Sequence, residues 1–195
     1  MMDRTGEREV ATVPGTLEGI CPAHIQRYEF ARGFVGRRDV CDLACGTGYG
    51  AMIFGDSFYV GIDKDEQAVE FARQSYDGPL REFMVGDAED PPSLISCEVL
   101  VSFETIEHLE HPEKFLAWAR GECELAIIST PVRGACPQSP FHVREYTCGE
   151  FKELLGGYWD HVSMFIQKAD SEHNRYDIRY PARPEDMGNL IGVCW

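Results

Sequence analysis

Short apolar runs alternate with longer amphipathic stretches through the middle of the chain. The run Val99-Leu100-Val101-Ser102-Phe103 is nearly continuous in apolar side chains, and the segments 39–44, 58–63, 83–85 and 125–129 read the same way. Such runs predict strands buried on both faces, as in a parallel sheet covered by helices. Between them, residues 65–75 carry Ala68, Val69, Phe71 and Ala72 toward one side of a helix, and 112–119 predicts another. Upstream, Pro22 suits a first helical turn, and Ile25, Tyr28, Ala31 and Val35 fall near one face of a helix over 22–35. Residues 1–21 predict an irregular arm, with Pro14-Gly15 and Gly19 as turn signals. Strands alternating with helices imply βαβ units and a mostly parallel sheet.

The pattern changes after Thr130. Residues 131–146 form a long connection rich in Pro and Gly, and long ordered loops tend to carry function. Thr147-Cys148-Gly149-Glu150 has the form of a capping box and predicts a helix carrying Phe151, Leu154 and Leu155, ended by Gly156-Gly157. Segments 161–167 and 190–195 predict closing strands of a hairpin, joined by the polar stretch 168–188, a candidate lid segment.

Length and composition narrow the class. The 195 residues fit one domain, 44% hydrophobic and 26% charged, as in a globular protein. It divides into an arm and helix (1–36), a half built around the first strands (37–130), and a loop with closing strands (131–195). The net charge of −15 and the absence of a Lys/Arg run argue against a nucleic-acid partner, whose binding rests on phosphate contacts. The polar start lacks the apolar region of a signal peptide, and the apolar runs are too short to span a bilayer, so a cytoplasmic protein without membrane insertion is expected. The eight cysteines are scattered without a C-x-x-C pair, which predicts reduced thiols. The oligomeric state is not legible.

The segment Asp42-Leu43-Ala44-Cys45-Gly46-Thr47-Gly48-Tyr49-Gly50 follows the first strand. Its glycines permit a sharp turn and the close approach of a ligand. A lone G-x-G-x-G is a weak signal; a strand before it, a helix after it and Asp63 ending the next strand strengthen it. An acidic group about 20 residues on is placed to accept from two ribose hydroxyls.

Residues 42–50 resemble motif I of the class I S-adenosylmethionine-dependent methyltransferases, Gly61-Ile62-Asp63 their second motif, and Gly86-Asp87-Ala88-Glu89 their third. The resemblance implies a three-layer, Rossmann-like α/β sandwich with a seven-stranded, mostly parallel sheet whose last strand is antiparallel. It implies S-adenosylmethionine contacts at Tyr28, Asp42, Ala44, Cys45, Gly46, Gly48, Asp63, Lys64, Asp87, Ala88, Glu89 and Phe103. In that family Asp42 and Gly46 would lie beside the methionine part, Asp63 would hold the ribose, and Asp87 would accept from the adenine amino group. Dinucleotide enzymes carry G-x-G-x-x-G instead. Here the third glycine comes one residue early and Asp42 opens the loop, which favours a sulfonium cofactor over a pyrophosphate. Thr5-Gly6-Glu7-Arg8, His24 and Arg27-Tyr28-Glu29-Phe30-Ala31 resemble the amino-terminal arm of bacterial methyltransferases acting on glycans, lipids or secondary metabolites. The chain departs from the family at 120–124, which lacks Pro-Gly-Gly, at Cys97-Glu98, and at Val132 after Thr-Pro.

Glu104, Glu107 and His108 follow the fourth strand at spacings of three and four. On one helical turn they would project to one side, and a divalent ion would offset the clustered carboxylates. His142, in the long loop, is the fourth candidate ligand. The Glu-x-x-Glu-His element with a distant His is similar to the metal site of small-RNA 3′-end 2′-O-methyltransferases, and a related site is implied in ubiquinone-pathway O-methyltransferases. Glu107, His108 and His142 are accordingly the candidate catalytic residues. Without a metal, His108 or His142 could act as general base, or the Glu-His pair could be purely structural. Arg27, Tyr28 and Arg144 could touch cofactor or substrate or serve the fold, while His111, His161 and His173 are expected at the surface.

The expected activity is O-methylation of a small polyol, sugar, glycolipid or phenolic acceptor. The alternatives are N- or C-methylation of a small metabolite, 2′-O-methylation of an RNA terminus, a non-catalytic cofactor-binding module, and a dinucleotide-dependent oxidoreductase.

Overall fold

A computed structural model describes residues 9–93, 97–135, 139–170 and 175–195. Thr5-Gly6-Glu7-Arg8 and His173, singled out in the sequence, lie outside these residues. The chain divides into two compact units, Met1–Val101 and Ser102–Trp195.

In the first unit, helix α1 (Pro22–Val35) opens on its proline and ends at Gly36, whose φ of 65° a glycine adopts without strain. Its buried face is Ala23, Arg27, Tyr28, Ala31 and Val35, so Arg27 takes an inward place and Ile25 sits at the margin. Strands β1 (Val40–Leu43) and β2 (Tyr59–Asp63) are buried at every position. Strand β3 (Arg81–Val85) buries only Phe83, as befits the edge of the order β3-β2-β1-β4. Strand β4 (Val99–Phe103) pairs parallel with β1 at Val99, Leu100 and Val101. The register sets Asp42 opposite Gly61 and Asp63 opposite Val85. Helix α2 (Glu66–Tyr76) is capped by the Asp65 carboxylate, which accepts from the N–H groups of Gln67 and Ala68.

In the second unit, α3 (Pro112–Glu122) precedes β5 (Leu125–Pro131), a strand buried throughout. Helix α4 (Cys148–Gly156) carries the full capping box of Thr147 and Glu150. Strands β6 (Val162–Asp170), β7 (Arg175–Arg179) and β8 (Asn189–Cys194) follow. Their order is β5-β8-β6-β7, with every pairing antiparallel. The final strand is antiparallel, as expected, and lies between β5 and β6. The strand count is eight rather than seven among the described residues, because β7 occupies part of the segment expected as a connection. An edge strand buries little, so Arg175-Tyr176-Asp177-Ile178-Arg179 carries no strong apolar signal. Cys21, Cys41, Cys45, Cys148 and Cys194 are outside any disulfide. Cys97 and Cys123 are each disulfide-bonded, against the expectation of reduced thiols throughout. Among the described residues no helix is long and apolar enough to cross a membrane.

Candidate active site

In the first unit, β1 ends in a tight bend. Ala44 has a φ of 64°, Gly46 of 58° and Gly48 of 80°. A left-handed alanine is strained by about 1 kcal/mol or more, and such strain collects where ligands bind. The bend is held from two sides. The Cys45 N–H donates to the Ile62 carbonyl at 2.9 Å, and the Gly46 N–H donates to the Asp63 carboxylate at 2.8 Å. Asp63 takes a second bond at its other oxygen, from the Asp65 N–H at 2.9 Å. These two bonds set the orientation of the Asp63 carboxylate.

The glycines divide by purpose. A side chain at Gly48 would meet Ala72 Cβ at 2.6 Å and Phe83 Cε1 at 2.7 Å, and one at Gly50 would meet the Tyr28 ring at 2.5 Å. These two glycines serve packing. A side chain at Gly46 would meet nothing within 4 Å, so open space lies over that residue.

Asp42 is fully buried. Its Oδ2 accepts from the Tyr28 hydroxyl at 2.8 Å and from the Tyr59 hydroxyl at 2.5 Å, while Oδ1 has no hydrogen-bond partner. Burial raises its carboxyl to about 7, even though the phenol bonds from Tyr59 and Tyr28 act the other way. Cys45 is buried; burial, followed by the charges of Asp42 and Asp63, raises its thiol well above the usual range. Asp87 is exposed and accepts the Glu89 N–H at 2.9 Å, Ala88 beside it is buried, and Lys64 is exposed. Phe103, ending β4, is buried.

In the second unit, the chain turns at Glu104 through a φ of 54° and then forms a 3-10 turn over Ile106–His108. Glu104 therefore lies outside the turn that was expected to align it with Glu107 and His108. Its carboxylate accepts from the Ser129 hydroxyl at 2.7 Å and from the Asn189 side-chain amide. Glu107, His108 and His142 do converge, with one potential ligand atom from each lying within 4.8 Å of the others. Glu107 is buried, and its Oε1 is 4.0 Å from His108 Nε2. The His108 and His142 rings stand 5.0 Å apart at 77°. His108 Nδ1 lies 3.0 Å from the Phe141 carbonyl oxygen. A carbonyl can only accept, so Nδ1 carries a proton, and in the neutral ring the lone pair is on Nε2. His142 Nδ1 is buried without a hydrogen-bond partner. The loop is tied on by the N–H groups of Val143 and Arg144, which donate to the Glu107 carbonyl at 2.9 and 3.0 Å. Beside it lies a hollow of about 370 Å³ lined by Ser139, Pro140, His142, Val143, Arg144 and Glu145. A larger hollow of about 500 Å³, by Trp159, His161 and Trp195, contains none of the expected site residues.

Sequence reasoning missed Tyr59, Ser129 and Asn189. Period-two alternation puts Tyr59 on the same face of β2 as Asp63, a signal that could have found it. Nothing local marks Asn189 as a partner of Glu104, 85 positions away.

A bent loop after β1, an acidic residue ending β2 and a parallel strand order β3-β2-β1-β4 define a Rossmann-like nucleotide-binding architecture. Residues 40–121 match the family described as a methyltransferase domain. A "Probable S-adenosylmethionine-dependent methyltransferase" of Mycolicibacterium smegmatis is 34% identical over 176 residues, covering 77% of this chain and 62% of the relative. The chain spans about half to three fifths of the length of the curated relatives it matches. Among solved structures, a Thermotoga maritima methyltransferase described as a possible histamine N-methyltransferase superposes with a TM-score of 0.72. It has 14% identity and covers 89% of this chain and 88% of its own. Magnesium protoporphyrin IX methyltransferase from Synechocystis, solved with S-adenosylhomocysteine, gives a TM-score of 0.63 at 16% identity, covering 89% and 84%. At such identities these two structures speak to the fold.

Proposed function

We propose that the protein transfers a methyl group from S-adenosylmethionine to a hydroxyl oxygen of a small polyol, sugar, glycolipid or phenolic acceptor, with a divalent metal ion held by Glu107, His108 and His142. The observation that carries this reading is the convergence of those three side chains, with His108 held in the tautomer that a metal ligand needs. One buried carboxylate and two imidazoles suit a borderline divalent cation. The buried, unpartnered His142 Nδ1 adds a donor atom that the protein leaves unused.

When bound, the ion would lower the pKa of an acceptor hydroxyl. The protein's own part is orientation. Phe141 holds His108, and the two loop N–H groups fix the Glu107 backbone. In the first unit, the open space over Gly46 and the oriented Asp63 carboxylate suit the methionine and ribose parts of the cofactor. The cofactor, when bound, supplies an activated methyl on sulfur, and in-line positioning of the acceptor supplies much of the rate.

A metal-free reading has one observation in its favour. His108 Nε2, basic and 29% exposed at the side chain, is equally placed to take a proton from an acceptor. Turnover of a panel of polyol, glycan, phenol and amine acceptors, with and without chelator, separates the two. Loss of activity on chelation with recovery on metal addition supports the metal. Full chelator resistance removes it, and preference for amines removes O-methylation.

A further inference from the structure

We infer that Arg144 determines the specificity of the acceptor site, selecting a hydroxylated acceptor that carries one anionic oxyacid group, a carboxylate or a phosphate. The inference rests on the acceptor reading above, in which the reacting hydroxyl meets Glu107, His108 and His142.

Arg144 follows His142 by two residues and lines the same hollow of about 370 Å³. Ligand clefts span about 300–1,000 Å³, so this one suits a single ring or a short polyol. The root of the side chain is fixed, because the Arg144 N–H donates to the Glu107 carbonyl at 3.0 Å. A guanidinium on backbone anchored to a candidate metal ligand is a pre-organised donor. Pro140 and Val143 give the hollow an apolar wall, and Val143 is 54% exposed.

The protein leaves this charge without a counter-ion. The loop's other arginine, Arg133, meets the Glu150 carboxylate at 2.8 Å and the Glu145 carbonyl at 2.9 Å. Glu113 is taken by His111 at 3.1 Å. Among the described residues Arg144 forms no ion pair within 4.0 Å, although Glu145 adjoins it in sequence. Its charge reaches the Tyr146 phenol: burial raises that group, and the guanidinium is the largest influence against the rise. A neutral phenol leaves the cation uncompensated. In a chain of net charge −15, an arginine so placed presents a planar fork that matches a carboxylate or a phosphate. Glu145 also lines the hollow, so a ligand meets one cation and one carboxylate. A polyanion is repelled there, whereas one anionic group at Arg144 with hydroxyls donating to Glu145 satisfies both.

The test measures initial rates on matched acceptors, 3,4-dihydroxybenzoate against 3,4-dihydroxybenzamide and glucose 6-phosphate against glucose, with wild type, Arg144→Gln and Arg144→Lys. The wild type should favour the anionic member of at least one pair by about 10–100-fold in kcat/KM, as one charge-assisted contact gives. The pair with the larger ratio tells carboxylate from phosphate. Arg144→Gln should remove the preference mainly through KM, and Arg144→Lys, which keeps the charge and loses the fork, should restore part of it. The loop's anchor is a backbone bond and survives both substitutions. Equal rates within each pair, preference for the neutral members, no turnover of any anionic member, or a preference that Arg144→Gln leaves in place each overturns the inference. Chelator-sensitive turnover of neutral hydroxyl acceptors alone would do so while leaving the proposed function standing. Preference for amine acceptors overturns that function itself.

Discussion

His108 donates its Nδ1–H to the carbonyl oxygen of Phe141 at 3.0 Å, and this bond aims Nε2 toward Glu107. A loop carbonyl 33 residues away thereby decides the tautomer of the imidazole. Outer partners of this kind fix ligand orientation, and their loss costs about 10–100-fold in metal affinity or activity. Glu107→Gln, which removes the charge of a ligand itself, should therefore lower turnover by on the order of 100-fold or more. S-adenosylhomocysteine affinity, measured alongside, should change less than about twofold, since Glu107 has no part in the cofactor contacts proposed here. Undiminished turnover in this variant would end the metal mechanism.

Asp63→Ala should damage cofactor binding in two ways, by removing an acceptor for the ribose and by freeing the Gly46 N–H that steadies the loop. Hydrogen bonds to charged groups contribute about 1.5–3 kcal/mol each, so affinity for S-adenosylhomocysteine should fall by roughly tenfold to a hundredfold. Calorimetry reads this directly; an unchanged dissociation constant would count against the site.

Two glycines of one loop should behave differently. Gly48→Ala drives a methyl into Ala72 and Phe83 at a φ of 80°, so it should lose about 1–3 kcal/mol or more of stability. Gly46→Ala enters open space and meets only the backbone strain of its φ of 58°, about 1–2 kcal/mol. Its larger effect should be on cofactor affinity. Urea denaturation and calorimetry on both variants check the contrast.

Thr147→Ala should cost about 1 kcal/mol of stability through loss of the α4 cap, and leave cofactor affinity unchanged. A denaturation midpoint equal to that of the wild type would mean that the cap adds nothing in this context.

Burial of Asp42 has a consequence for stability. Its folded-state carboxyl is raised to about 7 from an ordinary 3.8, so between those values the folded chain holds a proton that the unfolded chain lacks. The contribution to stability is present in full below the lower value and is lost as pH rises through the upper one, at about 1.4 kcal/mol per pH unit. Asp42→Asn does not titrate, so its advantage over the wild type in the cofactor-free state should grow from pH 4 to pH 7 and then level off. Thermal melts across that range test the sign; a constant difference would mean that Asp42 does not titrate there.

The helices and most strands were legible because their signals are local. Apolar runs, a capping box and Pro22 each act within a few residues, and the structure has elements at those places. Strand β7 was not legible, since an edge strand needs little apolar surface. Arg27 was not placed either, because helical periodicity does not assign a charged residue to a buried face.

By itself the sequence determined the order of elements, the class of domain and the bend after β1, because periodicity, capping and glycine chemistry act over short stretches of chain. Only the tertiary structure decided which acidic groups meet which partners. It gave Glu104 to Ser129 and Asn189 and left Glu107 with His108 and His142. It also set two tyrosines on one oxygen of Asp42. The reason is that a left-handed residue and a 3-10 turn redirect side chains that a regular helix would have aligned, and hydrogen bonds between distant segments leave no trace in local spacing.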